Sequence, residues 1–268
     1  MIRFDILVND SFEASSRRRA EHGLAIYAEV TRRDGRGEER ILLDTGQHVG
    51  NLRDNIGGEI DLGRLTAVVL SHGHYDHSGG LGLVAEAGAR CPVYVGPDVA
   101  RRRFSVQMGA DGTLGRMRKQ IGMPSPELLE RLDVRRVGGI VRASECMTLF
   151  TIPTSAPPNV RLLAADMASA DTFSDEVFAL ITDGSEEWLF GGCTHHGLPM
   201  VLEYVFGTMG RERLSGFIGG LHLQGRPKEE IEDVAEIVGQ YEIGAWRPMH
   251  CTGEMAQEIW RERFRVVG

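Results

Sequence analysis

The sequence has few of the features that mark secreted, membrane-bound or nucleic-acid-binding proteins. Its four cysteines show no CxxC spacing, which argues against a disulfide framework. No apolar run approaches the roughly 20 residues that a membrane helix needs, and the N-terminal residues lack a signal-peptide core. A net charge of −8 argues against general affinity for nucleic acid or anionic membranes. We therefore expect a soluble, cytoplasmic protein whose partner is a small molecule.

The length and apolar content allow one large domain with a substantial core, or two small ones. The chain has 268 residues, of which 42% are hydrophobic. Short apolar and β-branched runs predict strands, and apolar residues at helical spacing predict helices between them. Strands are expected at 2–8, 24–30, 40–43, 65–70, 93–95, 147–152, 177–181, 187–190, 217–218 and 246–250. Each half of the chain thus begins with strands and continues with strand–helix repeats, which indicates an α/β fold.

One ten-residue stretch concentrates the potential metal ligands. It runs from Ser71 to Gly80 and contains His72, His74, Asp76 and His77 within six residues. The apolar run before it predicts a buried strand and the spacing after it predicts a helix, so the ligands lie on a loop between the two. Three imidazoles and a carboxylate suit zinc best, with iron or manganese as alternatives. The competing interpretation is a set of surface histidines on a turn.

This stretch resembles the HxHxDH signature of the metallo-β-lactamase superfamily. Four further segments are similar, in order, to markers of one branch of that superfamily: Asp44-Thr45-Gly46, Gly192-Cys193-Thr194-His195, Gly219-Gly220-Leu221-His222 and Pro248-Met249-His250-Cys251-Thr252-Gly253. The branch is named for dihydropterin-linked ribofuranosyl-aminobenzene 5'-phosphate synthases. The resemblance covers essentially the whole chain and implies a single domain over residues 1–268, folded as a four-layer αββα sandwich.

The resemblance also implies two divalent metal ions at one edge of the sandwich. His72 and His74 would bind the first ion, and Asp76 and His77 would bind the second. His250 matches the last ligand histidine of the family and would complete the second site. The alternative for His250 is a buried structural imidazole.

The remaining ligand stays open between three residues. Cys193 stands where many superfamily members carry a bridging aspartate, and His195 lies two residues further on. The branch pattern favours His195. Asp175 matches a branch aspartate near another ligand position, but it can equally be an ordinary loop carboxylate. Asp44 is expected to support the histidine loop by hydrogen bonds without binding metal, the alternative being a simple turn aspartate.

The implied chemistry is metal-dependent hydrolysis or phosphoribosyl-type transfer on a small anionic or phosphorylated compound, pterin-like compounds included. Asp76 would accept a proton or orient the nucleophile, and His222 would contact the substrate. The alternative is a non-hydrolytic metal-binding or di-iron redox module of the same fold. The redox reading is disfavoured because that related group typically has glutamate where this chain has His74.

The segment from about 97 to 145 differs from the rest in charge. It contains ten basic and six acidic residues, a balance of +4, so the remainder of the chain carries −12. We expect an insertion that covers the active-site mouth, with Arg101 and Arg103 as candidate ligands of a substrate phosphate. The alternative is a solvated basic face. Nothing in the sequence indicates the oligomeric state.

Overall fold

The protein is built around two six-stranded sheets. The computed structural model describes residues 1–35, 37–108, 114–122, 124–153, 162–163 and 170–268, with no description of the side chains of 106–108, 114–118 and 162–163. The strand order is β1-β2-β3-β4-β5-β8 in the first sheet and β15-β14-β13-β12-β10-β9 in the second. A small third sheet has the order β11-β6-β7.

The first half of the chain contributes all six strands of the first sheet and two of the helices that cover it. Its strands are β1 (Ile2–Val8), β2 (Ala25–Thr31), β3 (Glu38–Leu43), β4 (Ala67–Val69), β5 (Pro92–Val95), β6 (Phe104–Met108), β7 (Leu114–Gln120) and β8 (Asp133–Arg136). Its helices are α1 (Val49–Ile56), α2 (Tyr75–Ser78), α3 (Leu81–Glu86) and α4 (Pro126–Leu129). Strands β1 to β3 pair antiparallel, whereas β3, β4, β5 and β8 run parallel.

The second half repeats this arrangement, with antiparallel strands followed by parallel ones. Its strands are β9 (Ile140–Arg142), β10 (Met147–Phe150), β11 (Leu162–Leu163), β12 (Phe178–Thr182), β13 (Glu187–Gly191), β14 (Gly216–Gly220) and β15 (Trp246–Met249). Its helices are α5 (Leu198–Glu203), α6 (Lys228–Val238) and α7 (Glu254–Arg263). Strands β13, β14 and β15 are parallel, so their carboxyl ends lie at the same edge.

Three buried apolar clusters separate four structural layers. The central cluster joins the facing sides of the two sheets and includes Ile26, Leu43, Leu149 and Phe190. A second cluster packs α1 and α3 against the outer face of the first sheet, and a third packs α5, α6 and α7 against the second sheet. Burial of apolar area in these three clusters is the main favourable contribution to folding. The predicted four-layer αββα sandwich is confirmed.

The basic segment from about 97 to 145 contributes strands to the two main sheets and also to the small third sheet. Strand β8 pairs with β5 and strand β9 pairs with β10, so the later part of 97–145 belongs to the two main sheets. The hairpin of β6 and β7 lies outside them and approaches the histidine loop, where the Tyr75 amide donates to the Ile121 carbonyl. The side chains of Arg116 and Arg118 lie outside the described residues. No helix in the described part of the chain is long and apolar enough to span a bilayer.

Candidate metal centre

The histidine loop leaves the carboxyl end of β4 and is held in a tight path. The Gly73 amide donates to a carboxylate oxygen of Asp175 over 2.7 Å. A Cβ on Gly73 would lie 1.9 Å from the Val99 carbonyl oxygen, so this position admits only glycine. On either side of Gly73, the rings of His72 and His74 meet edge to face, with centroids 4.4 Å apart.

The first donor group consists of His72, His74 and His195, whose ligand atoms all lie within 4.8 Å of one another. The Nε2 atoms of His72 and His74 are buried and have no hydrogen-bond partner among the described residues. Burial lowers the pKa of both imidazoles well below the ordinary value, and neighbouring histidines lower it further. Both rings are therefore held neutral, which leaves lone pairs available for a cation.

The hydrogen bonds of Asp44 determine which ring nitrogens are bare. Asp44 accepts from the Ser71 amide and hydroxyl, each over 2.7 Å, and from Nδ1 of His77 over 2.7 Å. Because the single Ser71 hydroxyl proton points to Asp44, its oxygen accepts from Nδ1 of His72. Both histidines then direct Nε2 at the centre, where a metal ion can take the place of a proton. The sequence prediction assigned Asp44 this type of role.

The second donor group consists of Asp76, His77 and His250. Nε2 of His77 lies 3.2 Å from Nε2 of His250, and Oδ2 of Asp76 is 3.6 Å from the latter. Nδ1 of His250 is engaged by Asp10 over 2.6 Å, so its Nε2 faces His77 as a second lone pair. Two facing lone pairs repel each other unless a proton or a metal cation lies between them.

These residues fit a zinc-class ion. Two imidazole nitrogens on one tetrahedral ion are separated by about 3.3 Å, given metal–nitrogen bonds of about 2.0 Å. The 3.2 Å separation of the His77 and His250 nitrogens matches that spacing. Burial lowers the pKa of the His77 ring, but the Asp44 and Asp76 carboxylates outweigh burial and raise it to about 9. The site therefore favours positive charge.

Two buried cysteines lie beside these histidines. Sγ of Cys193 is 3.1 Å from Nε2 of His77 and 3.3 Å from Sγ of Cys251. Cys193 forms one ligand group with His72 and His77, and another with His195 and His222. It thus stands between the two donor groups. The sequence left Cys193 and His195 open as alternatives, and the fold brings both to the centre.

Five residues in the left-handed backbone region border the site. They are Asp44, Phe173, Thr194, His222 and His250, with φ between 49° and 56°. Such a conformation is uncommon for any residue other than glycine, and it persists where surrounding contacts impose it. Its concentration here fits a site whose side chains are held in position at a cost in stability.

Two residues at the centre were missed by the sequence analysis. Glu176 accepts from the amide and ring of His195, over 2.8 and 3.0 Å, and also binds the amide of His196. The sequence drew attention to its neighbour Asp175, and nothing local distinguishes the two carboxylates. Asp10 was missed because only the fold brings it to His250, although a polar residue after a strand was a weak signal.

His22 also acquires a place that its sequence position did not suggest. Its ring contacts Asp10 over 2.9 Å and Asp76 over 3.2 Å. Hydrogen bonds that the ring donates to these two carboxylates raise the pKa of His22 to about 10. The sequence offered no reason to join this loop histidine to the motif.

The structure places Asp175 and Arg103 away from their predicted roles. Both are fully buried, and Arg103 binds Asp175 and Asp171 through separate guanidinium nitrogens. Burial raises the pKa of Asp175 to about 6 against the opposing effect of Arg103. Asp175 therefore supports the histidine loop instead of joining the donor groups. Arg103 is already neutralised by two carboxylates and cannot contact a substrate phosphate without breaking these pairs.

A cavity of about 360 Å³ opens above the two donor groups. Its wall includes His222 and Gln224 on one side and Ser105, Lys119 and Ile121 of the β6–β7 hairpin region on the other. Nζ of Lys119 lies 3.6 Å from the centroid of the Tyr75 ring. Arg101 is not among the described residues that line this cavity. The hairpin thus contributes a cation to the mouth, although not the arginines that the sequence suggested.

Comparisons with known proteins agree with this geometry. The profile of the Metallo-beta-lactamase superfamily matches residues 33–209. The 7,8-dihydropterin-6-methyl-4-(beta-D-ribofuranosyl)-aminobenzene-5'-phosphate synthase of Methanocaldococcus jannaschii is 25% identical over 255 residues, which cover 92% of this chain and 86% of that protein.

Solved structures show the same fold. Tm1679, described as a metal-dependent hydrolase of the beta-lactamase superfamily, superposes with a TM-score of 0.80 at 23% identity, covering 100% of this chain and 95% of that one. Zn(2+)-bound PqqB from Methylobacterium extorquens gives a TM-score of 0.55 at 15% identity, covering 100% and 97%. The chain belongs to the metallo-β-lactamase superfamily, whose fold implies divalent metal binding.

Proposed function

We propose that this protein is a metal-dependent hydrolase or phosphoribosyl-type transferase. It acts on a small anionic or phosphorylated compound at a centre that holds two divalent ions, for which zinc is the best-suited metal. The observation that carries the proposal is the pair of adjacent donor groups with bare, buried imidazole nitrogens, of which His74, Asp76, His195 and His250 line one cavity. These groups offer more donors than one tetrahedral ion can use.

The residues divide into ligands and groups that orient them. His72, His74 and His195 would hold one ion, and Asp76, His77 and His250 the other, with Cys193 between them. Bound divalent ions supply Lewis-acid polarisation of a carbonyl or phosphoryl oxygen and lower the pKa of a water. Asp44 and Glu176 fix the ring orientations of His77 and His195, which keeps their bare nitrogens directed at the centre.

The chain's own residues would also handle the substrate. Asp76 lies 3.2 Å from Nε2 of His22, so a proton taken up by the carboxylate can pass to or from a ring at the cavity wall. His222 lines the cavity and its Nδ1 has no hydrogen-bond partner among the described residues, which leaves it available to a polar substrate group.

Lys119 supports the choice of an anionic substrate. It contributes an ammonium group to the described cavity wall and is held against the Tyr75 ring. The synthase relative is named for a ribofuranosyl-aminobenzene phosphate joined to a dihydropterin, and we extend that substrate class to this chain. In a substrate of this class, the phosphate would lie near Lys119 and the flat heterocycle would lie deeper in the cavity.

Elemental analysis of protein purified without added metal tests the centre. We expect close to two equivalents of transition metal per chain, with zinc predominant. Less than about half an equivalent, persisting after reconstitution, would overturn the proposal. Exclusive iron with a visible absorption band and no hydrolysis of phosphodiesters or lactones would favour the di-iron redox alternative.

A ligand screen tests the substrate class. Phosphorylated pterins, sugar phosphates and nucleotides are compared by thermal shift with wild type, Lys119→Ala and Arg102→Ala, where Arg102 is the exposed control. A phosphorylated ligand should bind Lys119→Ala more weakly by about 10- to 150-fold, since a charged hydrogen bond contributes about 1.5 to 3 kcal/mol. Equal shifts in all three proteins would remove Lys119 from phosphate recognition.

A further inference from the structure

We propose that Cys193 and Cys251 bind a thiophilic ion together, so that one position of the metal centre is a dithiolate site selective for zinc-class ions over manganese. This inference rests on the proposed metal centre and adds to it a ligand that its two histidine groups do not include. Cys251 immediately follows His250, and the sequence analysis assigned it no role.

The two thiols converge from the ends of two strands in the same sheet. Cys193 follows β13 and Cys251 follows β15, with β14 between them. Their sulfur atoms are 3.3 Å apart although neither is part of a disulfide. A Cβ on Gly220, at the end of β14, would lie 2.6 Å from the Cys251 sulfur. The glycine in β14 therefore makes the space in which the two sulfurs meet.

A third donor completes the group. The ligand atoms of Cys193, His250 and Cys251 all lie within 4.8 Å of one another, and each residue is more than nine-tenths buried. All three line the cavity, so an ion can reach them from solvent. Two sulfurs and an imidazole suit soft and borderline ions such as Zn²⁺, whereas Mn²⁺ prefers oxygen ligands.

The remaining cysteines provide matched controls. Cys91 precedes β5 and packs among the residues beneath the helices of the first sheet. Cys146 lies between the two sheets. Both are buried free thiols, as Cys193 and Cys251 are, but neither lines the cavity.

Cobalt(II) is a suitable probe because thiolate ligands give it a near-ultraviolet charge-transfer absorption. Metal-free protein is kept reduced and anaerobic, loaded with Co²⁺, and measured for both absorbance and bound cobalt. We expect the band in wild type, and a loss of about half its intensity per bound ion in Cys251→Ser and in Cys193→Ser, because each removes one of two thiolates. Cys91→Ser and Cys146→Ser should keep the full band.

Failure of this inference is distinguishable from failure of the proposed function. Cobalt bound by wild type without the band, or a band unchanged in Cys251→Ser, would overturn the dithiolate and leave the histidine centre intact. If wild type binds no cobalt, and no zinc in a parallel titration, the proposed centre itself fails.

A measurement on wild type alone covers the case in which a serine variant does not fold. Iodoacetamide modification of each cysteine is followed by peptide mass with and without Zn²⁺. Zinc should slow modification of Cys193 and Cys251 by at least about tenfold, as expected when less than about a tenth of the site is free. The rates at Cys91 and Cys146 should not change. Equal rates at Cys251 with and without zinc would contradict the proposal.

Discussion

At the scale of single residues, the centre depends as much on the carboxylates behind the histidines as on the histidines themselves. Asp44, Glu176 and Asp10 each bind the Nδ1 side of an imidazole whose Nε2 faces the centre. An imidazole has one proton in its neutral form, so a carboxylate on one nitrogen leaves the other bare. These three residues thereby select the tautomer that can bind a cation.

Asp44→Asn tests this control of tautomer. Asparagine has one acceptor oxygen where aspartate has two, so it cannot accept from the Ser71 amide on one side and from the Ser71 hydroxyl and the His77 ring on the other. We expect metal affinity to fall by about 10- to 100-fold, measured by competition with a chromogenic chelator. Asp54→Asn, at an exposed ion pair with Arg19, is the control and should leave affinity unchanged. Unchanged affinity in Asp44→Asn would mean that the histidines orient themselves.

At the scale of elements, the histidine loop is tied to the rest of the molecule by a buried triad. Arg103 precedes β6 and pairs with Asp171 and Asp175, and Asp175 in turn accepts from the Gly73 amide. The hairpin segment, the loop and the residues before β12 are thus joined through one guanidinium group. Because this guanidinium group is held by two buried carboxylates, Arg103 is unavailable to substrate although it lies in a basic segment.

Arg103→Ala should therefore act on stability. It leaves two buried carboxylates without their cation, which costs about 3 to 5 kcal/mol in the free energy of unfolding, measured by urea denaturation. Arg102→Ala, one residue away and exposed, is the matched control and should change stability by less than about 0.5 kcal/mol. A stable Arg103→Ala with weakened phosphate binding would restore the original sequence prediction.

The turn between β12 and β13 makes a pH-dependent contribution to the stability of the fold. Asp183 accepts from the amides of Ser185 and Glu186 over 2.8 and 2.9 Å. Burial raises the pKa of Asp183, but hydrogen bonds from the N-terminal amine and from those amides outweigh burial and hold it well below the ordinary value. A lowered folded-state pKa means that the charged carboxylate stabilises the fold above the unfolded pKa of about 3.9, and that this is lost as pH falls.

Asp183→Ala should consequently destabilise the protein at neutral pH and progressively less in acid. We expect a difference of about 1 to 3 kcal/mol at pH 7, because hydrogen bonds to a charged group are lost. Urea unfolding between pH 7 and the lowest pH at which wild type still folds measures it. A difference that stays constant below about pH 4 would show that the side chain acts through packing and not through its charge.

At the scale of the whole molecule, metal binding and folding are coupled. The donors come from both halves of the chain, with the histidine loop after β4 and the residues after β13 and β15 meeting at one edge. An ion bound there links the two sheets, and the unfolded chain has no such arrangement. Binding therefore stabilises the native state.

Removal of metal should lower the melting temperature. An ion present at about 100 times its dissociation constant adds about 2.7 kcal/mol, which corresponds to roughly 5–10 °C for a protein of this size. Calorimetry of chelator-stripped protein measures the loss, and added Zn²⁺ should reverse it whereas Mg²⁺ should not. A melting temperature that is identical with and without metal would contradict coupling between the centre and the fold.

Local pattern in the sequence predicted an α/β chain and a loop that carries four candidate ligands, and the family resemblance added the four-layer sandwich. Strand and helix periods are properties of residues that are near one another in sequence. The residues His72, His74, Asp76 and His77 lie on one loop, so they are close in space because they are close along the chain. The approach of His250 and Cys193 was implied by family resemblance, and three parallel strands with a common edge realise it.

Only the tertiary structure decided which residues assist the ligands. Glu176 reaches His195, Asp10 reaches His250 and Cys251 reaches Cys193 through contacts that span between 19 and 240 residues of sequence. Arg103 is buried and neutralised by carboxylates about 70 residues away in sequence. The basic residues around it in the sequence gave no indication of this burial. Such pairings depend on how the layers stack, and no local period or composition encodes them.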